Sequence, residues 1–361
     1  MSLNKNHGLR RVNVRRRSLL SAAGGALALL SMSGHAATRE RLRVVATFSI
    51  LGDMVREIGG ERVAVTTIVG PNNDAHRFEP TPQDAKAVHE AAVLVLNGLD
   101  FEAWLPRLLE AADFKGEQVL ASQGVAVRRL DGGAHSHETH GDEHQHESGH
   151  AHQHDAGHEH RHERGHGHAA ETGGEDGAHD HGDTDPHAWQ DLSNGMIYAR
   201  NIAAGLSRAD PRNASYYEGR AAGYVARMKT LDTEVKAAIA AIPPAHRKVV
   251  TSHDAFGYFG DAYGIEFIPI AGLSNQAEPS ARDVAGIIRI ARDEKVRGVF
   301  IENMSSPQLA RQIARESGAI MGGTLYADAL SPPDQPAATY LGMFSWNAGR
   351  LVYVLKAATD R

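Results

Sequence analysis

The chain alternates strand-like and helix-like segments, and it does so twice. Between residues 43 and 112, short β-branched apolar runs are separated by stretches whose apolar residues recur at helical spacing. The same alternation returns between residues 249 and 326 and is followed by a helical stretch at 337–355. Strands that alternate with helices favour a mostly parallel sheet covered by helices on both faces. The sequence therefore predicts an α/β fold.

One long helical stretch divides the two alternating halves. Residues 211–242 keep helical spacing over roughly thirty positions, which corresponds to a helix on the order of 45 Å long. Pro243 and Pro244 end this stretch. A helix of that length can connect two lobes, and a chain of 361 residues is long enough to form them. We therefore predict an N-terminal α/β lobe at residues 42–209, a linker helix at 211–242 and a C-terminal α/β lobe at 246–361.

The N-terminal segment is typical of a secretory signal peptide. Residues 1–37 carry six basic and no acidic residues, followed by an apolar run of small residues and leucines and by small residues around Ala36. Such a segment is cleaved during export and is too short to remain as a membrane anchor. Arg16 and Arg17, followed by Ser-Leu-Leu, also resemble a twin-arginine export signal. We expect a protein exported to a bacterial periplasm.

A histidine-rich segment interrupts the first lobe. Fifteen of the 22 histidines lie within residues 135–181. The surrounding segment, residues 131–185, consists mainly of His, Gly, Asp and Glu, so it cannot bury enough apolar surface to fold. We predict a disordered His-rich loop, inserted in the first lobe, that binds metal ions loosely.

The composition favours cations as partners. The chain contains no cysteine, which excludes disulfides, thiolate-bound zinc and the usual residue of lipid attachment. We therefore expect the mature protein to be soluble. The net charge of the whole chain is −6, and removal of the six positive charges of the leader leaves −12. An acidic exported protein is poorly suited to bind nucleic acid.

Three of the seven histidines outside the His-rich loop are candidate ligands, in sequence that indicates ordered structure. His76 and His253 follow predicted strands, and His187 lies where the loop ends. Asp328 follows a further predicted strand at residues 324–326. Binding residues in open α/β sheets gather beyond the carboxyl ends of strands. Three neutral imidazoles and one carboxylate suit a four-coordinate cation such as Zn²⁺.

Two His-Glu-x-x-His matches raise the alternative of a zinc hydrolase. They lie at residues 146–150 and 162–166 and are similar to the zinc-binding motif of metalloproteases, which works only on a helix. Both contain a glycine and lie in low-complexity sequence, so we interpret them as chance matches. Glu79 and Glu302 are interpreted as structural residues. We therefore predict that the protein is not an enzyme, while a zinc hydrolase or a periplasmic metal store stays open as an alternative.

At these residues the chain resembles the periplasmic metal-binding receptors of zinc and manganese ABC transporters, the cluster A-I solute-binding proteins. The matches are most specific at residues 74–82, 185–189 and 252–259, with a further match at 300–302. The resemblance implies two lobes joined by one long rigid helix, with the metal in the cleft between them. It implies four ligands, two from each lobe, with water as an alternative to the last: His76, His187, His253 and Asp328.

The third ligand position bears on the choice of metal. Manganese members of this family tend to have a carboxylate there, whereas this chain has His253, which favours zinc. A long His-rich loop before the second ligand is also typical of zinc members, although Ala75 replaces the proline that often precedes the first ligand. The resemblance thus implies high-affinity zinc capture by a monomer that delivers the ion to an ABC permease in the inner membrane. A manganese or general divalent-metal receptor is the alternative.

Overall fold

The computed structural model describes residues 40–129, 184–272 and 280–357. The predicted signal peptide, residues 1–37, lies outside the described residues, and so does the predicted His-rich loop except for its last two residues. Within the described part, no helix combines the length and the apolar character needed to cross a membrane.

The first lobe is built on a four-stranded parallel sheet. Its strands, in the spatial order β2-β1-β3-β4, are β1 (Leu42–Phe48), β2 (Val63–Val69), β3 (Val93–Leu96) and β4 (Glu117–Leu120). The central strands β1 and β3 are almost wholly buried and apolar, because helices cover both faces of the sheet. These helices are α1 (Ser49–Gly59), α2 (Pro82–His89), α3 (Leu105–Ala112) and α4 (Leu192–Ala209).

The second lobe repeats this architecture. Its strands, in the order β6-β5-β7-β8, are β5 (Lys248–Thr251), β6 (Glu266–Pro269), β7 (Gly298–Glu302) and β8 (Ile320–Leu325), again all parallel. Its helices are α6 (Gly257–Tyr263), α7 (Ala281–Asp293), α8 (Pro307–Ser317) and α9 (Tyr340–Ala357). The predicted fold class, two α/β lobes with parallel sheets, is confirmed.

A single long helix, α5 (Ala214–Ala240), contacts both lobes. Its 27 residues correspond to about 40 Å at 1.5 Å per residue. Arg220 of α5 donates to the carbonyl oxygen of Glu57 in α1 at 2.7 Å. Further along the helix, Asp232 accepts a hydrogen bond from the hydroxyl of Tyr263 in α6 at 3.0 Å. The helix therefore contacts both lobes, and it begins after a short 3₁₀ turn at Pro211–Asn213.

Two strands differ clearly from the sequence prediction. The pattern does not predict β4, because Val119 is its single β-branched residue and the strand lies at the edge of the sheet. Strand β8 begins four residues earlier than predicted, since Gly322 and Gly323 interrupt its apolar run. A Cβ atom on Gly322 would overlap the ring of Phe300 in β7. The glycine thus permits close packing inside the lobe.

The described structure resumes at Thr184, so it includes the last two residues of the predicted loop, Thr184 and Asp185. Thr184 forms an isolated antiparallel bridge with Arg129, so the two ends of the inserted segment lie side by side. Asp185, which the composition assigns to the His-rich loop, is fully buried and accepts the backbone N–H of His187 at 3.0 Å. Its acidic side chain resembles those of the loop in type, but it belongs to the folded lobe.

Candidate metal centre

The four side chains predicted as metal ligands lie together where the strand ends of the two lobes face each other. His76 follows β2 and His187 immediately precedes the turn that leads into α4. His253 follows β5 and Asp328 follows β8. One potential ligand atom from each residue lies within 4.8 Å of those of the other three. The structure therefore brings together all four residues that the sequence singles out.

The distances between these atoms match a tetrahedral cation site. His76 Nε2 lies 3.3 Å from His187 Nε2 and 3.5 Å from Asp328 Oδ2. Asp328 Oδ1 lies 3.4 Å from His187 Nε2, and Asp328 Oδ2 lies 3.1 Å from His253 Nε2. Four ligands at zinc bond lengths of ~2.0–2.1 Å form a tetrahedron whose edges are about 3.3–3.4 Å. The four distances, 3.1–3.5 Å, are close to those edges, so the cluster can accommodate a divalent cation.

The orientation of these groups also indicates a cation. Both oxygens of Asp328 are buried, and among the described residues neither accepts a hydrogen bond of good geometry, although imidazole nitrogens lie close to them. Buried carboxylates are normally hydrogen-bonded or bound to a cation. Asp328 and the imidazole nitrogens beside it are therefore suited to share a metal ion.

His76 is positioned by the loop that follows β2. The side chain of Asp74 accepts the backbone N–H of His76 at 2.8 Å and so closes a local turn. The indole of Trp104 donates to the carbonyl oxygen of Ala75 at 2.7 Å. The ring of Phe101 packs edge-on against the imidazole, with centroids 4.5 Å apart. These contacts direct Nε2 of His76 towards the cluster.

His187 is held by Asp185, two residues before it. Asp185 Oδ1 contacts His187 Nδ1 at 2.8 Å and also accepts its backbone N–H. Asn97 donates to the carbonyl oxygen of Pro186 at 3.0 Å, which fixes the intervening backbone. Although burial opposes ionisation, the hydrogen bond with His187 and the charge of Arg128 hold the pKa of Asp185 below its usual range. An ionised acceptor at Nδ1 leaves Nε2 free to bind a metal.

His253 is held by Glu302, at the end of the neighbouring strand β7. Glu302 Oε1 accepts the backbone N–H of His253 at 3.0 Å, and Oε2 forms a close ion pair with His253 Nδ1. The sequence interpretation of Glu302 as a structural residue is incomplete, because this carboxylate orients a predicted ligand. Its position at the carboxyl end of a strand, like that of the ligands, is the signal that could have identified it.

The electrostatics of the cluster combine burial with opposite charges. Burial lowers the pKa of His76. Burial also opposes ionisation of Asp328, but the nearby His253 and His187 hold the pKa of that carboxyl well below its usual range. The pKa of His253 is raised well above its usual range, because Glu302 and Asp328 outweigh the effect of burial. A cation that binds His253 therefore has to displace a proton.

The protein has the features of a receptor for a metal ion. It has two α/β lobes with parallel sheets, a long helix in contact with both, and a buried cluster of imidazoles and a carboxylate at the strand ends. A family model described as "Zinc-uptake complex component A periplasmic" matches residues 44–354. The chain belongs to this family, whose members are substrate-binding receptors of ABC transporters and not enzymes. The predicted family and the prediction that the protein is not an enzyme are thereby confirmed.

Individual relatives differ in the metal that their names state. The chain is 28% identical over 333 residues to the manganese ABC transporter substrate-binding lipoprotein PsaA of Streptococcus pneumoniae, with 91% of this chain and 93% of that protein covered. The Mn-bound periplasmic metal binding protein of Candidatus Liberibacter asiaticus matches with a TM-score of 0.67 and 27% identity over 87% of this chain and 100% of that one. The periplasmic zinc binding protein TroA of Treponema pallidum shares the fold, with a TM-score of 0.69 at 23% identity over 87% and 99% of the two chains. All three are named for metal binding or metal transport, whereas the metal varies.

Proposed function

We propose that this protein captures Zn²⁺ with high affinity in the periplasm and delivers it to an ABC permease in the inner membrane. The observation that carries the proposal is the buried cluster of three imidazoles and one carboxylate, with ligand atoms within 4.8 Å of one another. In this proposal His76, His187, His253 and Asp328 are the ligands, and the ion is cargo rather than a resident cofactor.

The donor set favours zinc over manganese. Imidazole nitrogens suit Zn²⁺, whereas Mn²⁺ is better served by carboxylates, carbonyls and water, and the Irving–Williams order also places zinc above manganese. The alternative is a manganese or general divalent-metal receptor. It is supported by the relatives named for manganese and by Asp328, whose two oxygens both face the cluster and can supply a fifth donor. A metal store would need no spaced ligands. A zinc hydrolase is excluded by the family.

The proposed location follows from the leader and the composition. Residues 1–37 have the sequence of a cleaved secretory signal, and relatives such as PsaA are named as lipoproteins. This chain has no cysteine to carry a lipid. We propose that the mature protein is a monomer free in the periplasm, where it meets the permease by diffusion.

Zinc titration in competition with a chelator tests the proposal. The experiment uses a variant that lacks residues 135–181, because the histidines of that segment would add weak sites. We expect one tight zinc ion per chain and an affinity for Mn²⁺ that is lower by orders of magnitude. His89→Ala is the matched control, since it removes an exposed imidazole outside the cluster. Comparable Zn²⁺ and Mn²⁺ affinities would favour the general receptor, and the absence of a tight site would refute both.

A further inference from the structure

Arg128 lies beside the metal centre and joins the two lobes. It belongs to the first lobe, in the segment that follows β4. Its Nε donates to Asp261 of α6 in the second lobe at 3.1 Å. Its backbone N–H donates to the hydroxyl oxygen of Tyr258, also in α6, at 2.8 Å. One residue of the first lobe therefore holds two side chains of a second-lobe helix.

The same side chain contacts the carboxylate that orients His187. Arg128 Nη1 lies 3.2 Å from Asp185 Oδ2, and the other oxygen of Asp185 contacts His187 Nδ1. The backbone N–H of Asp185 also donates to the carbonyl oxygen of Arg128 at 3.0 Å. Asp185 is fully buried, while the side chain of Arg128 is 28% exposed. A continuous chain of contacts thus runs from α6 through Arg128 and Asp185 to His187.

The second lobe is shaped around this pair. Gly257 is the first residue of α6, and a Cβ atom there would overlap the guanidinium of Arg128 and lie 2.7 Å from Asp185 Oδ2. The φ angle of Gly257 lies outside the left-handed region, so the backbone does not require a glycine. The lack of a side chain leaves room for the pair when α6 lies against the first lobe.

We infer that Arg128 is a positioning residue that ties the orientation of His187 to the docking of α6 against the first lobe. When the lobes separate at α6, Arg128 loses its contacts with Asp261 and Tyr258. Its guanidinium, which still pairs with Asp185, is then free to move. A buried carboxylate without its partner is strongly disfavoured, so Asp185 follows Arg128 and keeps the ion pair. The imidazole of His187, which Asp185 holds, moves with it. This inference rests on the proposed function, and its consequence is that Arg128 controls how fast the metal leaves.

The test compares release and binding rates of zinc, measured by stopped flow with a chromophoric chelator in the variant that lacks residues 135–181. Arg128→Ala should release zinc about tenfold faster, the lower end of the affinity loss found when the direct partner of a ligand is removed, because Arg128 acts through Asp185; the change in the binding rate should be smaller. Asp261→Asn should have a smaller effect, because Asp261 is 70% exposed and exposed ion pairs are weak. Arg128→Lys should rescue in part, since a single ammonium cannot serve both carboxylates as a planar guanidinium does.

A spectroscopic readout separates positioning from general stability. Bound Co²⁺ reports the ligand geometry through its visible bands, and Arg128→Ala should shift them because His187 is less firmly held. Gly257→Ala should release zinc faster in the same way, by displacing the pair while all the charges remain. Gly286→Ala, at a helical glycine with no atom within 4 Å of its added Cβ, is the control. Arg208→Ala, which removes an ion pair with Glu117 in the first lobe, is a second control.

The outcomes distinguish this inference from the proposed function. Absence of a tight zinc site in the parent protein would refute the proposed function. A tight site in the parent, with parental release rates and cobalt spectra in both Arg128→Ala and Gly257→Ala, would overturn the role of Arg128 alone. If Arg128→Ala fails to fold, Gly257→Ala and Asp261→Asn decide the question by the same two measurements.

Discussion

Replacement of Glu302 by glutamine tests how the site sets the tautomer of His253. Glu302 Oε1 accepts the backbone N–H of His253, and Oε2 pairs with Nδ1. The carboxylate therefore keeps a proton on Nδ1 and leaves the Nε2 lone pair for the metal. A glutamine whose oxygen keeps the backbone contact must turn its NH₂ group towards Nδ1. That donor favours the tautomer protonated at Nε2, which cannot bind a cation.

The expected loss follows from two costs. Removal of the partner behind a metal-bound imidazole weakens metal binding 10- to 100-fold, or about 1.4–2.8 kcal/mol. If the amide flips to restore the correct tautomer, the buried N–H of His253 loses its acceptor instead, at a cost of about 1–3 kcal/mol. Both Glu302 and His253 are buried, so solvent does not reduce either cost. We expect Glu302→Gln to weaken zinc binding about 100-fold although the side chain keeps its volume.

Asp185→Asn is the informative comparison for Glu302→Gln. Asp185 Oδ1 accepts hydrogen bonds from both the backbone N–H and the Nδ1–H of His187. An asparagine can keep its side-chain oxygen on both of these donors. The NH₂ group then replaces Oδ2 opposite Arg128 Nη1 and the ion pair is lost, but the tautomer of His187 is kept, so the predicted loss is about 10-fold and smaller than that of Glu302→Gln. Chelator competition near neutral pH measures both variants, and Glu117→Gln, away from the site, should keep the parental affinity. Equal losses in Glu302→Gln and Asp185→Asn would refute the tautomer argument.

Three further predictions follow from the site, the fold and the inserted segment. Alanine at any of the three proposed histidine ligands should weaken zinc binding by orders of magnitude, whereas Asp328→Ala should do less because water can replace a carboxylate. Calorimetric titration checks this ranking, and near-parental affinity in a histidine variant would contradict it. Burial raises the pKa of Asp53 to about 6, so ionisation disfavours the folded state above that pH by about 3 kcal/mol. Asp53→Asn should therefore raise the free energy of unfolding near pH ~8 and change it little near pH ~4, and denaturant melts with equal effects at both pH values would contradict this sign. Arg129 and Thr184 already pair as a bridge, so a short turn between them can replace residues 130–183. This replacement should lower the number of zinc ions bound and keep the tight site. Loss of that site, or an unchanged number of bound ions, would contradict this prediction.

The sequence predicts element boundaries well where local chemistry marks them. The apolar periodicity predicts helices at residues 281–293 and 307–317, and α7 and α8 have these bounds. Their starts are marked locally, because Ser280 forms a capping box with Asp283 and Ser306 caps α8 ahead of a proline. The periodicity predicts a helix at residues 255–263, but α6 begins two residues later, and its N-cap residue makes no side-chain hydrogen bond. The first N–H of α9 is bonded to Asp53 of the first lobe, 287 positions earlier. No local pattern can reveal such a cap.

The same limit applies to the metal centre. His253 and Asp328 could be found because they directly follow strands, and the carboxyl ends of parallel strands share one edge of a sheet. The residues that orient the ligands depend on contacts between distant segments. Glu302 lies 49 positions from His253, and Arg128 lies 57 positions from Asp185, on the other side of the inserted segment. Adjacency of that kind arises from the folded lobes and leaves no spacing in the sequence.

The origin of these orienting groups indicates where the site gains its rigidity. His253 is fixed by a carboxylate from an adjacent strand of its own lobe, so its Nε2 is set by the core of the second lobe. His187 is fixed by Asp185, which is shared with Arg128 and through it with α6. Its orientation is therefore complete only when the lobes lie together. Ligands that are already aimed at one point bind an ion without a further ordering cost. Under the proposed function, high affinity and controlled release then depend on the same contact, the docking of α6 on the first lobe.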